Sequence, residues 1–213
     1  MKDIKAVIFD YGNVLAKVDK SKFMRKLTDH NDMPYEDISS ALYPRDSPGN
    51  YSSITADYES GKLTSEGFFE KVKEVCSLDM SIEEFRKAYT DIFYPIGSSI
   101  ELARQLKPDY KLGLLSNTSE WDFQDEISKN KAFPLFDTVT LSYDVGAMKP
   151  DKQIFDDALQ KLQLPPEQCL FIDDIPEYVK AAKEQGINAI LYNRAEHLRF
   201  FRAELMGYGI YFR

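Results

Sequence analysis

The segment Ile4-Lys5-Ala6-Val7-Ile8-Phe9-Asp10 constrains this chain most, because it is apolar, short, and ends on a carboxylate that runs into Tyr11-Gly12-Asn13-Val14-Leu15. An apolar run of this length reads as a buried parallel strand. Open α/β sheets place their chemistry at the carboxyl ends of such strands. An aspartate there can also just start a turn or cap a helix, so its meaning depends on the ends of the other strands.

Four further apolar runs lie downstream. They are 111–116 after the turn Pro108-Asp109, 138–142, 169–173 after Leu164-Pro165-Pro166, and 188–192. Helical spacing separates them. Ile154, Phe155, Ala158, Leu159 and Leu162 mark a helix over 151–162, and 175–185 is another, closed by Gly186 in a C-terminal cap position. Strands alternating with helices of this length give a doubly wound parallel α/β sheet, Rossmann-like, with helices on both faces.

Residues 17–95 break the alternation, with helical patterns but no convincing buried strand. Phe23, Met24 and Leu27 mark a helix over 21–28; others begin at Thr64 (Phe68, Phe69, Val72) and at Ser81 (Phe85, Ala88, Tyr89). The stretch 44–53 is a loop by its turn chemistry. The expected organisation is a core of 1–16 and 96–213 with an inserted helical cap of 17–95. The cap aromatics Phe68, Phe69, Phe85, Tyr89, Phe93 and Tyr94 read mostly as cap core. Arg45, Tyr51 and Tyr58 lie in or near the long loop, within reach of a substrate. Trp121 reads as a packing residue, and His30 and His197 as surface or helix positions.

With a formal charge of −8 the chain lacks the clustered Lys and Arg that a nucleic-acid backbone or an anionic membrane demands. Its two cysteines, Cys76 and Cys169, are far apart and show no metal-ligand spacing. Cys169 reads as a buried strand residue. No stretch has the length of a membrane span, and the start is too short and mixed for a signal peptide. A cytoplasmic location is the expectation.

The strand ends form a constellation. Asp10, Asp173 and Asp174 close two strands that can lie side by side, and three crowded carboxylates raise one another's pKa unless a cation joins them. A hard divalent cation with oxygen ligands, usually Mg²⁺, is the natural partner. Lys149 adds a fixed positive charge, and Ser116 with Asn117 adds hydrogen-bond donors. Carboxylate, cation, ammonium and hydroxyl together suit an aspartyl-phosphate mechanism. Taken singly, each has a plainer role: a turn at Asp10 or Ser116, a solvated loop lysine at Lys149, a helix cap at Asp173-Asp174.

Four motifs in this order resemble the haloacid dehalogenase-like hydrolase superfamily. They are Phe9-Asp10-Tyr11-Gly12-Asn13-Val14-Leu15, Leu114-Leu115-Ser116-Asn117-Thr118, Gly146-Ala147-Met148-Lys149-Pro150-Asp151, and Phe171-Ile172-Asp173-Asp174-Ile175-Pro176-Glu177. The helical insertion after the first motif is similar to the family's small cap. The resemblance implies a Mg²⁺-dependent phosphohydrolase acting on a small phosphomonoester, a sugar phosphate above all. Asp10 would be the nucleophile. Mg²⁺ would be held by Asp10, the Gly12 carbonyl and the acidic pair, with Asp174 as the direct ligand and Asp173 acting directly or through water. Ser116 would bind a phosphoryl oxygen and Lys149 would offset transition-state charge, with Gly12, Asn13 and Asn117 completing the substrate contacts.

Two positions depart from the family's pattern. Most of its phosphatases carry a general-acid aspartate two residues after the nucleophile, where this chain has Gly12. A branch with the pattern Asp-x-Gly-Asn-Val, including relatives of glucose-1-phosphatase, shares that loss. It implies a slower enzyme, or one that favours good leaving groups or takes its proton from substrate or water, since such help is worth about two to four orders of magnitude in rate. Tyr178 stands where the family often has Asn or Asp, near the outer metal shell. Two alternatives remain. One is a metal-free 2-haloacid dehalogenase using Asp10 on carbon, which gives the acidic pair no task. The other is a binding or regulatory protein that keeps the fold.

Overall fold

The computed structural model describes residues 3–43, 53–193 and 198–212. Its strands, in chain order, are β1 (Ala6–Phe9), β2 (Ala16–Val18), β3 (Phe93–Pro95), β4 (Lys111–Ser116), β5 (Thr138–Leu141), β6 (Cys169–Asp173) and β7 (Asn188–Leu191). Five of them form one parallel sheet in the order β5-β4-β1-β6-β7. Strand β1 is central, so the chain builds outward on one side through β4 and β5 and on the other through β6 and β7.

The alternation of side chains along β1 explains why the sheet is covered on both faces. Ala6 and Ile8 enter one cluster with Ile154, Phe155, Leu162 and Phe171. Val7 and Phe9 enter the opposite cluster with Leu102, Leu106, Leu114 and Ile172. Burying each large aliphatic side chain contributes roughly 1.5–3 kcal/mol. Helices Lys152–Leu162 and Pro176–Glu184 supply the first cover, and Gly97–Leu106 and Leu198–Gly207 the second. Gly186, at φ +81°, ends the helix Pro176–Glu184 as the sequence implied.

Between β2 and β3 the chain forms helices Lys20–Thr28, Tyr35–Leu42, Ile54–Glu59, Ser65–Cys76 and Ile82–Thr90. Thr64 caps the fourth by accepting from the Gly67 amide, and Ser81 with Glu84 makes a reciprocal capping box on the fifth. Their apolar faces meet in a separate cluster around Phe23, Phe68, Phe85 and Tyr89. The helices over 35–42 and 54–59 escape a sequence reading because each offers barely two turns of periodicity.

A two-stranded antiparallel ribbon of β2 and β3 carries the chain out of the core and back, pairing Val18 with Phe93 and Ala16 with Pro95. Three residues per strand, half of them exposed, leave no alternation to read. Phe93 and Tyr94, expected in the cap core, belong to this ribbon. Phe93 packs against both apolar clusters, and Tyr94 is exposed. Cys76 and Cys169 are buried free thiols. Among the described residues no helix is long and apolar enough to cross a membrane.

The segment after β4 fastens the two parts together. Trp121, following core strand β4, inserts into the cap cluster edge-on to Tyr58 and Phe85, and its amide donates to the Tyr58 hydroxyl at 3.2 Å. Ser65 donates to Glu120 at 2.6 Å, and Arg86 makes a two-pronged ion pair with Asp125 at 2.6 and 3.1 Å. At Gly61 the cap turn crosses the core so closely that a Cβ would fall 2.2 Å from the Tyr143 carbonyl oxygen, at a φ of +73°.

Candidate active site

Sheet register builds the floor of the site. Pairing Phe9 with Ile172 makes the next residues, Asp10 and Asp173, neighbours at one carboxyl edge, and the Asp10 amide continues the ladder to the Ile172 carbonyl at 2.9 Å. One oxygen each from Asp10, Asp173 and Asp174 lies within 4.8 Å of the others. Lys149 reaches this cluster from the segment after β5. Its ammonium donates to Asp10 Oδ1 at 2.7 Å, Asp173 Oδ2 at 2.6 Å and the Leu115 carbonyl at 3.3 Å, using all three protons. At 1% exposure it is no solvated loop lysine. The rings of Phe171 and Tyr178 lie 5.3 and 5.1 Å from its Nζ.

Burial pushes the Asp10 carboxyl up to about 7, with Lys149 pulling against it and Asp173 adding to it. Burial likewise raises Asp174, with Asp173 adding to the rise. For Lys149 burial works against the charge, but Asp10 and Asp173 outweigh it and hold the ammonium above its ordinary value. Three carboxylates against one ammonium leave a formal excess of two negative charges, and the donors are hard oxygens. This set fits a divalent cation such as Mg²⁺. Asp173 is engaged on both oxygens, by Lys149 and by the Ile175 amide at 2.8 Å. Asp174 is half-buried and accepts from the Asn13 side chain at 3.1 Å.

The remaining motif residues lie around this cluster. Ser116 is buried at the end of β4 and lines the same cavity as Asp10, its hydroxyl making, among the described residues, only a long 3.4 Å contact to the Asn117 carbonyl. The Asn117 side chain clamps the main chain of Lys149, accepting from its amide at 2.8 Å and donating to its carbonyl at 3.1 Å. It also donates to the Tyr178 hydroxyl at 3.4 Å. Asn13, at φ +54°, holds Asp174 and accepts from the Val18 amide. The side chains of Asn13 and Asn117 thus hold Asp174 and the Lys149 main chain while both residues line the cavity. Gly12 faces the cavity, and a Cβ there would meet Val18 at 3.5 Å and Asp10 at 3.8 Å, ordinary contact distances.

Above this floor is a cavity of about 350 Å³ whose other walls come from the cap and from the segment after β4. Lys20, Tyr43, Thr55, Glu59 and Tyr89 line it from the cap, and Thr118 and Asp122 from the core. Asp122 is 5% exposed, and burial and Glu59 hold its carboxyl well above the usual range, against the pull of the Ser119 hydroxyl. Burial also raises Glu59, with Lys20 pulling it down.

Sequence reasoning did not single out this second acidic group. Asp122 is masked because Ser119-Glu120-Trp121-Asp122 has the spacing of a helix capping box, and Ser119 does cap that turn. Glu59 ends a helix the sequence did not reveal. Tyr58, expected near a substrate, instead stacks on Phe68 in the cap core, its hydroxyl bonded to Ser65. Arg45, Tyr51 and His197 lie outside the described residues. His30 comes just after the helix Lys20–Thr28.

The comparisons with known proteins agree with this architecture. A D-ribitol-5-phosphate phosphatase of Bacteroides thetaiotaomicron is 27% identical over 191 residues, covering 86% of this chain and 89% of that protein. A HAD-family enzyme of the same organism, crystallised with magnesium and inorganic phosphate, matches with a TM-score of 0.77 at 21% identity, over 93% of this chain and 98% of that one. The L-2-haloacid dehalogenase of Xanthobacter autotrophicus matches with a TM-score of 0.64 at 20% identity, over 96% and 83%. At such identities these two structures speak for the fold alone. The model for haloacid dehalogenase-like hydrolases spans residues 4–186, from the first strand through the acidic pair, and the chain belongs to that family of hydrolases.

Proposed function

We propose that the protein is a Mg²⁺-dependent phosphohydrolase of small phosphorylated metabolites, sugar phosphates above all, acting through an aspartyl-phosphate. The observation that carries this reading is the buried Lys149 ammonium between Asp10 and Asp173 at the floor of the cavity. Asp10 attacks phosphorus through a carboxylate oxygen, the ester oxygen leaves, and water then cleaves the acyl phosphate and regenerates Asp10. Lys149 favours the ionised nucleophile and offsets the negative charge that gathers on the phosphoryl oxygens. The Ser116 hydroxyl binds one of those oxygens, and Asn117 holds the Lys149 main chain in place. Asp10, Asp174, the Gly12 carbonyl and Asp173, directly or through water, would hold Mg²⁺, whose charge would offset that of the transferring phosphoryl group.

Position 12 carries no acid for the leaving group, so turnover is slow and favours esters of acidic alcohols. A metal-free attack on a haloacid has no use for Asp174, which would instead repel the substrate's carboxylate. The similarity to a D-ribitol-5-phosphate phosphatase supports a phosphorylated, hydroxyl-rich substrate.

The test is phosphate release from p-nitrophenyl phosphate and a panel of sugar phosphates, with Mg²⁺ and with EDTA. Release that needs the metal is the expected result. No release from a folded protein would contradict the proposal, and halide release from 2-chloropropionate would then identify a dehalogenase.

A further inference from the structure

We infer that Asp122, together with Glu59, forms a hydroxyl-reading subsite that selects phosphomonoesters with a neutral, polyhydroxylated far end and rejects those carrying a second anion. The inference rests on the phosphohydrolase proposal and adds to it the residues that enforce a hydroxyl-rich substrate and the exclusion of a second anion.

Position comes first. Asp122 and Glu59 line the same cavity as Asp10 but enter from different sides of it, one after core strand β4 and one from the cap. A small ester anchored by its phosphate at Asp10 would extend its other end into the cavity that both acids line.

Unmet hydrogen bonding comes second. Among the described residues, Asp122 Oδ1 and Thr118 Oγ1 are buried without a hydrogen-bond partner, and both residues line this cavity. Leaving such an atom unpaired costs about 1–3 kcal/mol, so native proteins rarely keep one without a reason. A ligand that supplies the partner is such a reason. The backbone supports it, since Asp122 is followed directly by a π-helical turn over Phe123–Ile127, a rare distortion frequent at functional sites.

The chemistry of the lining identifies the ligand. A carboxylate accepts hydrogen bonds, while threonine and tyrosine hydroxyls both donate and accept. Thr118, Tyr43 and Tyr89 surround the two acids with groups of the second kind. Alcohol groups, each donor and acceptor at once, match this mixture. A second phosphate or carboxylate would be pressed against two acids in a poorly solvated wall. An ammonium tail would meet the acids, but also Lys20, which already reaches this wall and packs 4.3 Å from the Tyr43 ring centre.

The experiment compares kcat/KM of the Mg²⁺-loaded enzyme for five-carbon esters differing only in the chain beyond the phosphate: a pentitol 5-phosphate, pentyl phosphate, 5-aminopentyl phosphate and a pentonate 5-phosphate. The pentitol ester is expected to exceed each of the others by about tenfold or more. In Asp122→Asn and Asp122→Leu, the ratio of pentitol to pentonate ester should fall about tenfold, because the anion is no longer repelled. A preference for the alkyl, amino or carboxylate ester, or ratios unchanged in both variants, would overturn the inference while release from p-nitrophenyl phosphate keeps the parent proposal standing. No release from any ester would overturn both. The wild-type ranking decides even if a variant fails to fold.

Discussion

The cavity has two acidic ends that differ in how their charge is met. At the floor, two carboxylates bond an ammonium that is itself 1% exposed, a third lies beside them, and every proton of that ammonium has an acceptor. At the roof, Asp122 and Glu59 share only the exposed Lys20, and Asp122 keeps an oxygen without a partner among the described residues. At the floor the bonded ammonium pulls against burial, which still raises Asp10 and Asp174 and leaves room for a further cation. At the roof, among the described residues, no ammonium bonds either acid, and the unpaired Asp122 oxygen costs stability until something binds it. The same residue type thus serves two ends differently, and the difference lies in the partner.

Substitutions can break or sharpen this contrast. The largest effect is expected for Asp10→Asn, which removes the proposed nucleophile and should lower turnover of p-nitrophenyl phosphate by about a thousandfold or more. Circular dichroism should show the fold intact, and near wild-type metal-dependent activity would break the floor's assignment. Next comes Gly12→Asp, since a Cβ there meets only ordinary contacts and the new carboxyl would face the cavity. It should raise kcat for alkyl phosphates by about a hundredfold, with far less gain for p-nitrophenyl phosphate, whose leaving group needs no proton. Equal gains for both esters would argue against a missing general acid.

Metal binding should stabilise the floor. Saturation at about a hundred times Kd is worth about 2.7 kcal/mol, so millimolar Mg²⁺ should raise Tm by several degrees, and Asp174→Asn should abolish the rise. A wild-type Tm indifferent to Mg²⁺ would contradict the site.

The smallest effect concerns the roof. The folded-state pKa of Asp122 is raised by burial, so the folded protein holds more protons than the unfolded chain above the ordinary carboxylate pKa of about 4. Its contribution to stability therefore falls as pH climbs from there toward the raised value. Asp122→Asn removes that loss, and the variant should gain on wild type as pH rises, by on the order of 1 kcal/mol. Parallel pH profiles of Tm would show that Asp122 is not strained in this way.

Much of the molecule was legible because its signals are local. Five buried strands appeared as apolar runs, and Asp10, Ser116 and Asp173-Asp174 each sit at or just past the end of one, while Lys149 follows a short helix after β5. Register brings Asp10 and Asp173 together, and Lys149 reaches them from its loop. The roof was not legible because Glu59 and Asp122 are distant in sequence and belong to short, irregular turns. The ribbon of β2 and β3 left no pattern over three residues per strand. The bonds from Asn13 to Asp174 and from Asn117 to the Lys149 main chain were also hidden, since their partners are far away in sequence.

The most direct test of the central claim is the stereochemical course at phosphorus, followed with an isotopically chiral phosphomonoester and Mg²⁺. Attack by Asp10 and then by water makes two in-line displacements, so overall retention of configuration is expected. Overall inversion would mean that water attacks the substrate directly and would contradict the role given to Asp10.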